Sequence, residues 1–472
     1  MKNLQFIFTI TILSIVGNLL NAQTLSKEQI NAIEKVITEE MNIAGIPGVV
    51  VGIIYDNQVV FEKGFGLTNN QTKIAMNDST IFQVASVTKT FTALTILKEL
   101  KDANIEVHEP VGEVVKGLSP KVSSITFHQL LTHTGGLIDY TNLNDKTDIF
   151  EFFKDIGDSI LFIDPGKVFS YSNTGYALLD LAIEQLSGTT YQETVEKAVI
   201  KPLKLNNTSF DLYKVAAKSF SAGHVLRKNL LVPEMYHCEN PLVRAAGGIF
   251  SNVQDLERLA LCLMNDGKLE GLQVFDPKMI ELMCQPYAKE FQASASSYFG
   301  PINAPNSAYG RGVWMFDYGN HKIIATAGGG TQVTFLMFAP HSSFSLILTS
   351  NHSSEMMFDS YNKIIEIVLE EKIPSSNDYK PNEDEWNDIT GRYCKPEIRT
   401  KELNYIEILK KNESLYINFN GTGDVELEQI GTLTYRFLFP NSRFPMAINF
   451  QRDKSNKVAF LKHYWRTYLK TE

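Results

Sequence analysis

Between Leu25 and Met41 apolar residues return at helical spacing, with Ile30, Ile33, Val36 and Ile37 on one face, which predicts an amphipathic helix. Gly45 to Gly48 break it. Val49–Tyr55 and Val59–Gly66 follow as two β-rich runs meeting at Asp56-Asn57, a hairpin signal. Phe82 to Leu100 reads as a second helical region. Far downstream, Gly312–Tyr318, Lys322–Ala327, Thr331–Phe338 and Phe344–Ser350 are strand candidates separated by turn residues, and a helix is expected from Ser354 to about Lys372. Helix and strands at the start, a mainly helical middle, then strands and a helix predict an α+β fold. Both ends of the chain build one antiparallel sheet, the terminal helices cover one face and the middle covers the other.

The pattern changes twice more. Pro374 to Glu385 is polar and Pro-containing, as a linker is. Beyond it Tyr405–Leu409, Ser414–Phe419, Val425–Ile430, Thr434–Phe439 and Ala447–Phe450 are short strand-like runs with turns such as Asn420-Gly421, which predicts a small all-β barrel or sandwich of roughly 90 residues. At the other end, Lys2 precedes an apolar run from Phe6 to Leu20, and Ala22 precedes Gln23, the pattern of a secretory signal peptide. The rival reading is a membrane anchor, but the run of about 15 residues is short of the ~20 a spanning helix needs. The expected organisation is therefore a signal peptide over 1–22, a main domain over 23–372, a linker over 373–385 and a β-domain over 386–472. The mature chain is then periplasmic or secreted, with no transmembrane segment.

Composition narrows the function classes. Hydrophobic residues make up 44% and charged residues 21%, as in a folded soluble protein. The net charge is -9 with no basic cluster, which argues against nucleic acid as a partner. Cys238, Cys262, Cys284 and Cys394 fit no metal or redox spacing. Cys262 lies in the apolar run Leu256–Met264 and reads as a buried free thiol, and no essential disulfide is expected. No motif asks for a metal or another cofactor.

Chemistry gathers at Phe82-Gln-Val-Ala-Ser-Val-Thr-Lys89. A serine hydroxyl is a poor nucleophile without a base in hydrogen-bond reach. Residues three apart share a helix face, so Lys89 falls beside the Ser86 hydroxyl. Burial and the positive end of a helix both favour the neutral amine that a base must be. The spacing alone is weak, since Ser360-Tyr-Asn-Lys363 repeats it, and that copy reads as the solvated face of an amphipathic helix. A second element, Pro165-Gly-Lys-Val-Phe-Ser-Tyr171-Ser-Asn173-Thr-Gly175-Tyr176, puts a phenol and an amide on a tight turn ahead of a helical run to Leu186. There Tyr171 would relay a proton. Asn173 would hold Lys89 or the substrate.

Ala85-Ser-Val-Thr-Lys-Thr90, Ile125-Thr-Phe-His-Gln-Leu-Leu-Thr-His-Thr-Gly-Gly-Leu137, Pro165–Tyr176 and Ala245-Ala-Gly-Gly-Ile-Phe-Ser251 with Asp255-Leu256 occur in that order. Residues 25–372 thereby resemble the class C β-lactamase, penicillin-binding protein and esterase family, which pairs Ser-x-x-Lys with Tyr-x-Asn. Residues 386–472, with Ile389-Thr-Gly-Arg-Tyr393, resemble the lipocalin-like domain often appended to it. The resemblance implies acylation of Ser86, with Lys89 and Tyr171 handling protons and the Ser86 N–H forming part of an oxyanion hole. The family's Lys-Thr-Gly or His-x-Gly strand matches Thr326-Ala-Gly-Gly-Gly-Thr331, where Gly330 would donate the second N–H and Gly329 would border the substrate. Ala327 stands where the family has its cation. A small-molecule or peptide-like acyl substrate without a carboxylate anchor is therefore expected, handled by an esterase, amidase or peptidase more than by an efficient β-lactamase. A weak or inactive ligand-binding sensor on the same fold is the alternative. The resemblance makes His133 a bracing loop residue, and Tyr140 is a candidate pocket wall. Phe150, Phe152 and Phe153 read as core, and His321, His341 and His352 as surface positions. Oligomeric state is open.

Overall fold

The computed structural model describes residues 24–139, 148–234, 240–288, 307–353, 356–372, 379–380, 382–396, 405–440, 442, 445–463 and 466–471. The expected signal peptide, Tyr140, Cys238 and part of the expected linker lie outside them.

Helix α1 (Lys27–Ala44) begins at a capping box in which Ser26 and Gln29 exchange side-chain and backbone hydrogen bonds, and it ends at Gly45 with a left-handed φ of 65°. Strands β1 (Gly48–Tyr55) and β2 (Gln58–Gly66) form the expected hairpin, with Asp56 and Asn57 both at positive φ as a tight turn of matching twist requires. The middle of the chain carries helices α2 (Thr88–Asp102), α3 (Asn173–Ser187), α4 (Pro241–Gly247) and α5 (Val253–Met264). Strands β3 (Ala308–Tyr309), β4 (Trp314–Tyr318), β5 (His321–Gly329), β6 (Val333–Ala339) and β7 (Phe344–Ser350) follow, then helix α6 (Met356–Leu369). All seven strands join one antiparallel sheet in the order β2-β1-β7-β6-β5-β4-β3.

Alternation along β1 shows how this sheet is covered. Val49, Val51 and Ile53 pack with Ile33 and Ile37 of α1 and with Ile364 and Ile365 of α6. Val50 and Ile54 point the other way, into a core shared with α2, α3 and α5. Phe153 is buried in that second core, with Phe150 and Phe152 against it. Successive side chains of β1 thus face two apolar layers, and helices cover both faces of the sheet as expected.

Two expectations change. Phe82–Leu100 is not one helix. Phe82–Gln83 pairs with Phe250–Ser251 as a short strand, Ala85–Val87 forms a 3-10 turn, and only then does α2 begin. Ser360 is not on a solvated face either: it is fully buried in α6, while Lys363 turns away toward Glu40 at 3.4 Å. A helix packed between a sheet and another helix buries more than one stripe, and the small serine falls on the buried part.

One buried acidic group shapes the sheet. A Cβ on Gly52 of β1 would lie 2.3 Å from Glu257 Oε1, so glycine there makes room for the carboxyl group. Burial first, then Glu62 and Asp78, push the Glu257 carboxyl up to about 9.

The C-terminal segment is a closed barrel of eight antiparallel strands: β8 (Gly391–Cys394), β9 (Tyr405–Lys411), β10 (Ser414–Phe419), β11 (Asp424–Gly431), β12 (Thr434–Phe437), β13 (Met446–Arg452), β14 (Val458–His463) and β15 (Arg466–Lys470). Pairing of β8 with β15 closes it around Tyr393, Ile408, Ile417 and Leu461. The end of the expected linker is part of this unit: Asn382 donates to Gln429, and Glu385 accepts from Gln429 and Leu433. Cys262, Cys284 and Cys394 are free thiols. Among the described residues no helix is long and apolar enough to cross a membrane.

Candidate active site

Ser86 sits at the centre of the 3-10 turn that feeds α2. The turn is tightly constrained. Ala85 has φ 44°, a left-handed conformation that costs a non-glycine residue about 1–2 kcal/mol. Gly328 of β5 presses against it: a Cβ there would fall 2.0 Å from Val84 O, 2.7 Å from Ser86 N and 2.9 Å from Ala85 Cβ. Gln332 supports the turn from the side, accepting from Gln83 N at 2.7 Å and donating to Ser221 O at 2.7 Å. The strand that bears the glycine run is thereby seated on the backbone N–H of Ser86.

Lys89, the second residue of α2, is buried (1% exposed). Its Nζ lies 3.2 Å from Ser86 Oγ, 2.8 Å from Asn173 Oδ1 and 2.9 Å from the Ala246 carbonyl. It also lies 4.6 Å from the ring centre of Tyr171 and 5.3 Å from that of Tyr176. The helices that bring these partners are stapled together. Thr92 Oγ1 donates to Ala245 O at 2.6 Å, and Thr88 Oγ1 accepts from Ile249 N at 3.1 Å. Arg244 of α4 makes a two-pronged pair with Asp180 of α3, 2.6 Å at each prong, and reaches Glu184 at 2.6 Å. Asp180 is fully buried, so this pair fixes where α4 holds the Ala246 carbonyl.

Asn173 opens α3 just after Ser172, whose side chain caps it by accepting from Gly175 N at 3.1 Å. Tyr171 is buried (5% exposed), its ring nearly parallel to Trp314 of β4, 7° apart with centres separated by 6.3 Å. His133, at φ 57°, braces the same loop. Its Nδ1 accepts from Ser172 N at 3.1 Å, its carbonyl accepts from Ser170 N at 2.9 Å and its ring lies 4.2 Å from that of Tyr171. Burial, then the Lys89 and Arg466 cations, hold His133 well below the usual histidine range, so the imidazole is neutral.

Of the residues the sequence singles out, Ser86, Lys89, Tyr171 and Asn173 converge here. Gly329 closes β5 opposite Val333, and Gly330 is exposed with open space where a side chain would be. Tyr140 lies outside the described residues. Ala327 belongs to the apolar cluster that holds Tyr171 and Trp314. His321 pairs with Glu371 at 3.3 Å and His352 Nδ1 contacts His224 O at 2.9 Å, so both are half-buried and tied down, away from Ser86's hydrogen-bond partners.

Two residues of the site escaped the sequence reading. The Asp139 carboxylate accepts from Asn173 N at 2.6 Å, Asn173 Nδ2 at 3.1 Å and Thr174 N at 3.2 Å. Arg466, the first residue of barrel strand β15, pairs with that carboxylate and donates to the Tyr171 carbonyl. Next to it, Thr467 Oγ1 donates to Phe169 O at 2.5 Å, and Thr467 N donates to Ser170 Oγ at 3.3 Å.

An antiparallel sheet between helical layers, with a serine–lysine pair on a turn seated against one of its inner strands, is the arrangement of the β-lactamase/transpeptidase-like fold, here followed by a closed barrel. The chain belongs to the Beta-lactamase family, whose model matches residues 33–369. Among curated relatives it is 24% identical over 344 residues to Protein flp of Staphylococcus aureus (strain N315), a match that covers 70% of this chain. The chain spans about 65% of the length of that relative. Two solved structures share the fold. SurE superposes with a TM-score of 0.74 at 20% identity, covering 94% of this chain and 99% of its own. The octameric penicillin-binding protein homologue from Pyrococcus abyssi superposes with a TM-score of 0.65 at 24% identity, covering 93% and 100%. The alignments reach into the barrel, so the two-part architecture is shared as well as the main domain.

Proposed function

We propose that this protein is a secreted or periplasmic serine hydrolase that cleaves an ester or amide through an acyl-enzyme on Ser86. The observation that carries the reading is the placement of Lys89 Nζ, 3.2 Å from Ser86 Oγ and held from behind by Asn173 Oδ1 and Ala246 O. In the free-base form that proton abstraction requires, the Lys89 amine has two N–H donors and one lone pair. Donating to Asn173 and Ala246 aims the lone pair at the Ser86 hydroxyl, which is what a general base needs.

In this reading Lys89 takes the Ser86 proton as Oγ bonds to the carbonyl carbon. The developing oxyanion is met by the N–H of Ser86 and of Gly330, with Gly329 beside it. The proton passes by way of Lys89 and Tyr171 to the leaving alcohol or amine. Water then repeats the sequence in reverse, and Ser86 is restored. Substrate preference follows from Ala327: an apolar wall at that strand position favours uncharged acyl groups over carboxylate-bearing β-lactams.

The test is covalent labelling by a fluorophosphonate read by intact mass, with Ser86→Ala as control. One adduct on wild type and none on the variant is expected. A wild type that stays unlabelled sinks the reading and favours a ligand-binding sensor. A panel of p-nitrophenyl esters, nitrocefin and D-amino-acid amides then sorts the substrate class, with uncharged esters expected to turn over faster than nitrocefin.

A further inference from the structure

The barrel reaches the site through the start of β15. Arg466 opens β15, keeps only a fifth of its side chain exposed, and contacts two groups of the main domain: the carbonyl of Tyr171 and the carboxylate of Asp139. Its guanidinium also lies 5.6 Å from the ring centre of Tyr171. Thr467 beside it bonds Phe169 and Ser170, so the start of β15 lies along the loop that ends in Asn173.

The Asp139 carboxylate matters because an amide has two unlike ends. An ionised carboxylate only accepts, so it takes the NH₂ end of Asn173, and this leaves Oδ1 as the end that meets Lys89. Were Asp139 displaced, the amide could turn its NH₂ toward Lys89, which would then lose an acceptor and its orientation toward Ser86. The Asp139 side chain is 3% exposed, and a buried carboxylate holds its place only with partners. Arg466 is the cation paired with it.

We propose that Arg466 is a positioning residue for hydrolysis, acting across the domain seam through Asp139 and Asn173 on Lys89. This rests on the serine-hydrolase reading of Ser86 and Lys89. It gives the barrel a role in the chemistry beyond attachment. Through Asp139, Arg466 sets the orientation of the amide that sets the orientation of the base.

The experiment compares fluorophosphonate labelling rates at Ser86 for wild type, R466A and R466K, with thermal melts alongside. R466A is expected to label at least about tenfold more slowly, as misplacing a catalytic group does. R466K should recover part of the rate, because a lysine can reach one of the two partners. Guanidinium ion, well below denaturing concentration, should also raise the R466A rate. A seam that only holds the barrel in place would respond to neither. An R466A rate equal to wild type overturns the proposal, and so does a slow rate that neither R466K nor guanidinium lifts. A crystal structure of R466A reads the same point without turnover. Asn173 Oδ1 withdrawn from Lys89 is expected, and an unchanged 2.8 Å contact overturns the proposal. A wild type that fails to label refutes the serine-hydrolase reading, while that structure still decides what Arg466 does.

Discussion

Gly328→Ala is the smallest change that should disable the site without replacing a reacting side chain. The added Cβ would meet Val84 O at 2.0 Å, Ser86 N at 2.7 Å and Ala85 Cβ at 2.9 Å. None of these is the end of a flexible side chain. Val84 and Ser86 are met at their backbone, and Ala85 already carries a left-handed φ of 44°. Ordinary contact begins near 3.4 Å, so strand and turn must separate by roughly 1 Å. The strand is held by its ladder to β6, with Gly328 opposite Thr334, so the Ser86 turn gives way first. Overpacking of this kind costs about 1–3 kcal/mol in stability. A shift of about 1 Å at a nucleophile costs on the order of 10²-fold in rate. The assay is the second-order rate of fluorophosphonate labelling at Ser86, with a thermal melt on the same sample. A folded G328A that labels at the wild-type rate would refute the claim that β5 positions the nucleophile by direct contact.

Three further outcomes follow from the same contacts. Lys89→Ala should lower the labelling rate of Ser86 by about 10²–10⁴-fold while a melt still shows a cooperative fold, and a near-normal rate would remove lysine from the role of base. Arg244→Ala leaves the fully buried Asp180 carboxylate without its cation and should cost about 3–5 kcal/mol, measured by urea unfolding; a loss below about 1 kcal/mol would show that the pair does not hold α4. Glu257 has a folded-state value of about 9, above the usual 4.5, so its protonated form stabilises the fold. That contribution is complete below 4.5 and is lost as pH rises through about 9. Melting temperature should therefore fall between pH 6 and pH 9 more steeply in wild type than in Glu257→Gln, and parallel curves would exclude the effect.

How much of this was legible in the chain depends on the range of the interaction. The β1–β2 hairpin follows from two β-rich runs meeting at Asp56-Asn57, and the buried face of α1 from its helical stripe, both local patterns. Ser86 and Lys89 are three residues apart, and Tyr171 and Asn173 two apart, so sequence motifs could carry them. The break at Ala85–Val87 was not legible, because a left-handed alanine reads as a helix former until β5 is packed against it. The burial of Ser360 was hidden for the same reason: which side of α6 is covered depends on α1, which lies more than 300 residues away in the chain.

The least legible part of the site is the part that joins the domains. Asp139 follows Gly135-Gly136 closely enough to draw attention, yet Tyr140 drew it instead, since an aromatic looks like a pocket wall and a lone aspartate looks like a loop residue. Arg466 gave less signal still. It opens a strand that is partly buried with little alternation, and its partners lie 327 and 295 positions earlier. A buried carboxylate needs a cation, but one chain offers 44 lysines and arginines and no local rule for choosing among them. Only the closed barrel, which brings β15 round to pair with β8 and lays its first residues along the loop from Phe169 to Asn173, makes the choice. The motifs therefore name the groups that the proposed chemistry uses. On the proposal made for Arg466, the barrel's placement is what lets Asn173 present its oxygen to Lys89, and so turns Lys89 toward Ser86.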